Sequence, residues 1–263
     1  MPGRIAVSGI CTDTLSLEQD IAFWARHGIT DVGIPRRKLT AEGVELLRGA
    51  GLRITSLLGF GPILTDDSTW PEARRDLRTM ISEAETIGAE TVVITTGSAG
   101  QLRWDEAAVA LGKVLDPVLG ETRVPVLVEH TNQLRTDISF VHSLRDIVDL
   151  AHQLGVGVVM EVNACWMERD LPATLTAGLD VIGLVQVSDT MPGVHRTPDR
   201  AVPGDGIIPL ERVLGDVVSA GYNGAFELEC IGPRIEEEGY DSAVPRAVAA
   251  LERILGSDHP PVP

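Results

Sequence analysis

Four oxygen-bearing side chains, Glu129, Glu161, Gln186 and Glu229, fall at corresponding points of four consecutive apolar stretches. Those stretches, residues 125–129, 158–163, 184–188 and 224–230, have the length and composition of β-strands. Side chains of a strand alternate between faces. Val126 and Val128 therefore lie opposite Glu129. Val158, Met160 and Val162 lie opposite Glu161 and Asn163. Val185 and Val187 lie opposite Gln186, and Phe226, Leu228 and Cys230 lie opposite Glu227 and Glu229. The apolar faces suit a covering layer of helices. The carboxylates are then turned inward, where a charge is costly unless it is paired or holds a metal. Three carboxylates and an amide oxygen are hard donors. They suit Mn²⁺ or Mg²⁺ better than Zn²⁺, which prefers nitrogen and sulfur.

Strand and helix patterns alternate along the whole chain. Strands are expected near 5–8, 31–34, 52–58, 91–95, 124–129, 156–162, 181–188 and 224–230. Helical patterns occupy about 16–27, 40–48, 71–87, 104–119, 142–154, 170–177, 209–220 and 241–255. Ser16, with Glu18 and Gln19 behind it, starts the first helix, and Gly28 stops it. Eight strand–helix pairs in 263 residues match an α/β fold of the (β/α)8 TIM-barrel type. A doubly wound open sheet is the alternative, but its strands bury apolar residues on both faces. The polar inward positions fit a barrel mouth better, at the strand ends where barrel active sites lie. One domain is expected over residues 1–256, followed by a disordered C-terminal tail over 257–263.

Composition narrows the function. A net charge of −16 argues against a nucleic-acid partner. No apolar run reaches the length of a membrane span. The N-terminal residues enter a strand at once, leaving no room for a signal peptide. Cys11, Cys165 and Cys230 show no metal-ligand spacing, and a reducing cytoplasm is the expected location. The only lysines are Lys38 and Lys113, and neither lies within an expected strand, which disfavours Schiff-base chemistry.

Several motifs resemble the xylose isomerase-like TIM-barrel superfamily, in particular its sugar (phosphate) isomerase/epimerase branch. They are Val128-Glu129-His130, Met160-Glu161-Val162-Asn163, Val185-Gln186-Val187-Ser188-Asp189, Pro203-Gly204-Asp205-Gly206 and the run from Gly221 to Glu229. The resemblance covers nearly the full length. It implies one divalent metal, Mn²⁺ first and Mg²⁺ or Co²⁺ as alternatives, held by Glu129, Glu161, Gln186 and Glu229. It also implies proton transfer beside a carbonyl through a metal-stabilised enediolate, with Glu129 and Glu229 as the acid/base pair. Two departures stand out: Glu161 occupies a position where Asp is usual, and Asn163-Ala164-Cys165-Trp166 lacks a histidine that often follows the second ligand.

Around that core, the expected substrate contacts are Lys38, Asn163, Trp166, Asp189, His195 and Arg200. Each has a plainer reading as a core, loop or solvated residue. Glu227 is the rival base on the last strand, or a core-facing partner of an arginine. His130 alternates outward, as a structural hydrogen-bonding group. No convincing phosphate cradle is present, so an unphosphorylated sugar-like or polyhydroxylated keto substrate is expected, with neither nucleic acid nor membrane as partner. Homo-oligomers are common in the branch. The alternative activity is a lyase that shares the enolate, either a 3-dehydroshikimate-type dehydratase or an enzyme cleaving 3-oxo-glycosides or C-glycosides, with His195 as the acid. A binding protein that has lost catalysis is the third reading. A DNA-repair endonuclease is disfavoured by the charge and the few histidines.

Overall fold

Alternation along the strands closes them into a barrel. The computed structural model describes residues 3–256; the expected tail, 257–263, lies outside them. The strands are β1 (Arg4–Ser8), β2 (Asp31–Pro35), β3 (Arg53–Gly59), β4 (Thr91–Thr95), β5 (Val126–Glu129), β6 (Gly157–Glu161), β7 (Ile182–Val187) and β8 (Ala225–Leu228). They pair in parallel in sequence order, and β8 returns to β1, matching Arg4 with Ala225 and Val7 with Leu228. The barrel reading holds over the open sheet.

The helices are α1 (Leu17–His27), α2 (Ala41–Gly49), α3 (Trp70–Ile87), α4 (Trp104–Leu119), α5 (Leu144–Leu154), α6 (Val162–Cys165), α7 (Leu171–Gly178), α8 (Leu210–Ser219), α9 (Pro233–Glu238) and α10 (Tyr240–Gly256). The expected cap on α1 is present as a reciprocal pair: Ser16 Oγ accepts from Gln19 N at 3.3 Å, and Gln19 Oε1 accepts from Ser16 N at 2.9 Å. None of the helices among the described residues is long and apolar enough to cross a membrane.

Two apolar layers follow from the period of two. Leu58, Val93, Leu127, Val159, Leu184 and Ala225 fill the barrel centre. Val128, Val158, Met160, Val185, Val187, Phe226 and Leu228 point outward into the larger core under the helices. Beyond the central layer, the inward positions of β4 to β7 are polar: Thr95, Glu129, Glu161 and Gln186.

The structure differs from expectation at the strand ends. β6 stops at Glu161, and Val162–Cys165 forms the single-turn helix α6. The cause is local: Glu161 Oε1 accepts the N–H of Asn163 at 2.9 Å and caps that turn. Asn163 is therefore not part of the inward strand face. β8 likewise stops at Leu228, although Glu229 N still donates to Val187 O at 3.0 Å. Helix α9 was not expected; proline occupies one of its first positions, a favoured place for helix initiation. All three cysteines are buried and unbridged.

Candidate active site

At the ends of β5, β6 and β8, Glu129, Glu161 and Glu229 each bring a carboxylate oxygen within 4.8 Å of the others. Glu161 is completely buried and Glu229 nearly so, while Glu129 is partly open to a cavity of about 630 Å³ at the barrel mouth. Glu129, Glu229 and Arg200 line that cavity. The facing wall includes Arg36 and Arg37 after β2, Phe60 and Gly61 after β3, and Asn132 and Arg135 after β5.

Glu161 is held from two sides. Arg200 donates from Nη2 to Glu161 Oε2 at 3.1 Å and from Nη1 to Ser188 Oγ at 3.2 Å. Burial opposes ionisation of Glu161. The Arg200 charge, a hydrogen bond with Glu229 and the Asn163 N–H outweigh it, and the pKa is lowered. Its two neighbours behave in the opposite way. Burial, followed by the negative charge of Glu161, pushes Glu129 up to about 8. Burial, then the charges of Glu161 and Glu129, pushes Glu229 well above the usual carboxylate range. One guanidinium does not balance three converging carboxyl groups.

A divalent cation fits this donor set. The carboxylates converge, and their mutual repulsion is what such an ion relieves. Gln186, fully buried on the inward face of β7, leaves both Oε1 and Nε2 without a hydrogen-bond partner. A buried amide in that state needs a partner. Its oxygen is the same hard type as the carboxylates.

Glu227 lies one pleat deeper than Glu229 and is fully buried. It has no arginine partner, contrary to one expectation. Thr55 Oγ1 and Ser56 Oγ donate to its Oε2 at 2.6 and 2.9 Å. Burial pushes its pKa up, opposed by those hydroxyls and by the nearby Gln186 amide. His130 is buried and accepts the Glu161 N–H at Nε2, 3.2 Å; burial lowers its pKa to about 4, so the ring is neutral. This is the structural role expected for it.

Of the residues expected to contact substrate, the structure brings only Arg200 to the cavity wall. Lys38 is turned away. Its ammonium is buried and donates to Gly9 O, Thr12 O and Asp20 Oδ2 at 2.7, 2.8 and 2.8 Å, which uses all three of its protons. Asp189 is also fully buried and binds neither Arg200 nor open space. Its carboxylate accepts the N–H groups of Thr190, Gly204, Gly206 and Ile208 at 2.8 to 3.0 Å and so shapes the loop after β7. Gly206 is required there, since a Cβ would stand 2.3 Å from Asp189 Oδ1 and 2.2 Å from Thr190 O. Trp166 packs against the core, Asn163 is buried beside Glu161, and His195 is exposed outside the cavity wall. The sequence reading missed Arg36, Arg37 and Arg135. Their position just after strand ends, the functional face of this fold, was the available signal.

The Lys38–Asp20 pair ties the segment after β2 to α1. Replacing Lys38 with methionine strands the Asp20 carboxylate in the interior. We expect a loss of about 3–5 kcal/mol in urea unfolding. Ligand affinity of the folded variant should be unchanged, and a selective loss of affinity with normal stability would place Lys38 back in the site.

The family model of the xylose isomerase-like TIM barrel matches residues 21–252, and the chain belongs to this family. Solved structures share its fold closely. Protein SMc04130 from Sinorhizobium meliloti 1021 is 24% identical, with 95% of this chain and 98% of that chain covered and a TM-score of 0.85. An IOLI protein with a bound zinc atom is 17% identical, covering 96% and 98%, TM-score 0.80. An L-ribulose 3-epimerase is 16% identical, covering 98% and 100%, TM-score 0.73. No curated protein matches the chain.

Proposed function

We propose that the protein is a divalent-metal-dependent isomerase or epimerase of a sugar or keto-polyol. The observation that carries this reading is the convergence of Glu129, Glu161 and Glu229 within 4.8 Å, with Glu129 and Glu229 lining a cavity of about 630 Å³. The family, whose solved members include an epimerase, supports it. Glu129, Glu161, Gln186 and Glu229 are the residues that would hold the ion, with Mn²⁺ the preferred candidate for an all-oxygen set. When bound, such an ion supplies Lewis-acid stabilisation of negative charge on a substrate oxygen.

The chain's own residues do the rest. Glu129 and Glu229 both line the cavity, so each can reach a substrate carbon beside a carbonyl. One carboxylate takes the proton and the other returns one. Burial raises both pKa values above the usual carboxylate range, that of Glu129 to about 8, and a base tuned in this way suits proton transfer beside a carbonyl. Glu161 is clamped by Arg200 and the Asn163 N–H and stays ionised, which suits a ligand and not a base. Arg200, held on Ser188 and Glu161 at the cavity wall, is the residue we assign to a substrate oxygen. The elimination reading needs an acid on the far side, and its candidate, His195, does not line the cavity.

The test is metal content followed by exchange. We expect protein purified and incubated with Mn²⁺ to retain near-stoichiometric metal by inductively coupled plasma mass spectrometry. Loaded protein should incorporate solvent deuterium into a member of a ketose and 3-oxo-glycoside panel. Protein that stays empty after incubation with Mn²⁺, Mg²⁺ and Co²⁺ would leave the binding-protein reading in its place.

A further inference from the structure

An amide that ligates a cation must present its oxygen, and nothing in a glutamine side chain itself decides which end it presents. Gln186 lies between two carboxyl groups on the inward face of the barrel. The strand register pairs it with Glu161 on β6 and with Glu227 on β8. Both amide atoms of Gln186 lack a partner, and so does Oε1 of Glu227. The other oxygen of Glu227 is fixed: Thr55 and Ser56 donate to Oε2. Gly33 on β2 leaves the space that this carboxylate fills, for a Cβ there would stand 2.5 Å from Oε2. β2 and β3 thus anchor one oxygen of Glu227, and the second is left as an unmet acceptor on the strand paired with Gln186.

The unmet groups comprise one donor, Gln186 Nε2, and two acceptors, the Oε1 atoms of Gln186 and Glu227. A carboxylate oxygen accepts and does not donate. One arrangement satisfies the donor without setting oxygen against oxygen: Nε2 donates to Glu227 Oε1. The amide oxygen is then left for the other side, where Glu161 and the carboxylate cluster lie. The reverse rotamer would face the amide oxygen with the Glu227 oxygen and turn an N–H₂ group, useless as a ligand, toward the cluster.

We propose that Glu227 is the positioning residue of the metal site: it accepts the Gln186 Nε2 proton and thereby aims Gln186 Oε1 at the ion. This rests on the metal-dependent reading above. It gives Glu227 a role distinct from that of a base, and it explains why a carboxylate is buried there among hydroxyls without an arginine.

The test is calorimetric titration of Mn²⁺ into wild type, Glu227→Met, Glu227→Gln, Gln186→Ala and the Gln186→Ala/Glu227→Met double variant, with apo-protein melting curves alongside. Removing an outer partner of a ligand weakens metal binding by roughly 10- to 100-fold, and we expect that loss for Glu227→Met. Glu227→Gln keeps an accepting oxygen at the same length and should retain near wild-type affinity. In the Gln186→Ala background, Glu227→Met should cost nothing further, because the residue acts through the amide. Unchanged Mn²⁺ affinity in Glu227→Met, whatever its melting temperature, would reduce Glu227 to a filler of the barrel interior and overturn the proposal. So would an equal loss in Glu227→Gln, or a full loss persisting without Gln186, because either result assigns the effect to charge. Wild type that binds no Mn²⁺ overturns the metal reading itself, and this inference with it. A crystal structure of Mn²⁺-loaded wild type needs no variant to fold. Gln186 Nε2 should lie about 2.9 Å from Glu227 Oε1, and an amide turned the other way refutes the assignment.

Discussion

Glu229→Gln retains the barrel and loses solvent-proton exchange into substrate by about 10³-fold or more, the scale of a general acid–base contribution. The substitution changes one oxygen to nitrogen at almost constant volume, so packing at the end of β8 survives. Glu229 N keeps its bond to Val187 O, which holds the position of the backbone. The side chain that replaces it cannot carry a proton between substrate and solvent. Glu229 is the member of the cluster best suited to that work. It faces the cavity, and burial with the charges of Glu161 and Glu129 raises its pKa well above the usual carboxylate range. Proton NMR in deuterated water, on whichever substrate exchanges with wild type, gives the rate directly. Exchange at the wild-type rate would remove Glu229 from the chemistry and leave Glu129 as the sole base.

Glu161→Ala is expected to abolish binding at the proposed metal site. Bound metal is expected to fall from near one equivalent to under about one-tenth, since losing a ligand should cost at least the roughly 10- to 100-fold that follows loss of a ligand's outer partner. The reason lies in the division of labour among the three carboxylates. Glu129 and Glu229 are pushed toward protonation by their surroundings, whereas Glu161 stays ionised. Removing it deletes the carboxylate held ionised in the cluster and leaves the part-buried Arg200 guanidinium beside Glu129 and Glu229, where it repels a cation. Mass-spectrometric metal analysis of wild type and variant reads the loss, and melting curves separate it from unfolding. A Glu161→Asp variant probes the longer side chain found here. An aspartate is one methylene shorter and cannot reach Asn163 N, Arg200 and an ion with the same geometry, so partial retention of metal is expected. Full retention in Glu161→Ala would mean that Glu129 and Glu229 suffice.

Much of this was legible from the chain alone, and for a physical reason. Strand alternation is a property of adjacent residues. Val126 and Val128 against Glu129, or Phe226 and Leu228 against Glu229, already separate a helix-covered face from a polar interior. Eight repeats of strand and helix leave few ways to close the sheet. Caps are equally local, as the Ser16–Gln19 pair illustrates. The three clustered glutamates were therefore identified before their distances were known.

The loops were not legible in this way. Lys38 and Arg37 are neighbours in the chain, yet one is buried on Asp20 and the other lines the cavity beside Asp13. Asp189 follows Gln186 on β7 by three residues, but its carboxylate is consumed by four backbone N–H groups, three of them 15 to 19 residues away. Glu227 and Glu229 alternate identically in sequence. Only Thr55, Ser56 and Gly33, brought over from β2 and β3, mark one as a fixed interior group while the other opens to the cavity. The sequence by itself determined the barrel and the strand ends that carry its carboxylates, because both depend on short-range periodicity. The tertiary structure decided which charges face the cavity and which are spent holding loops, because those choices depend on partners that the chain brings together from distant positions.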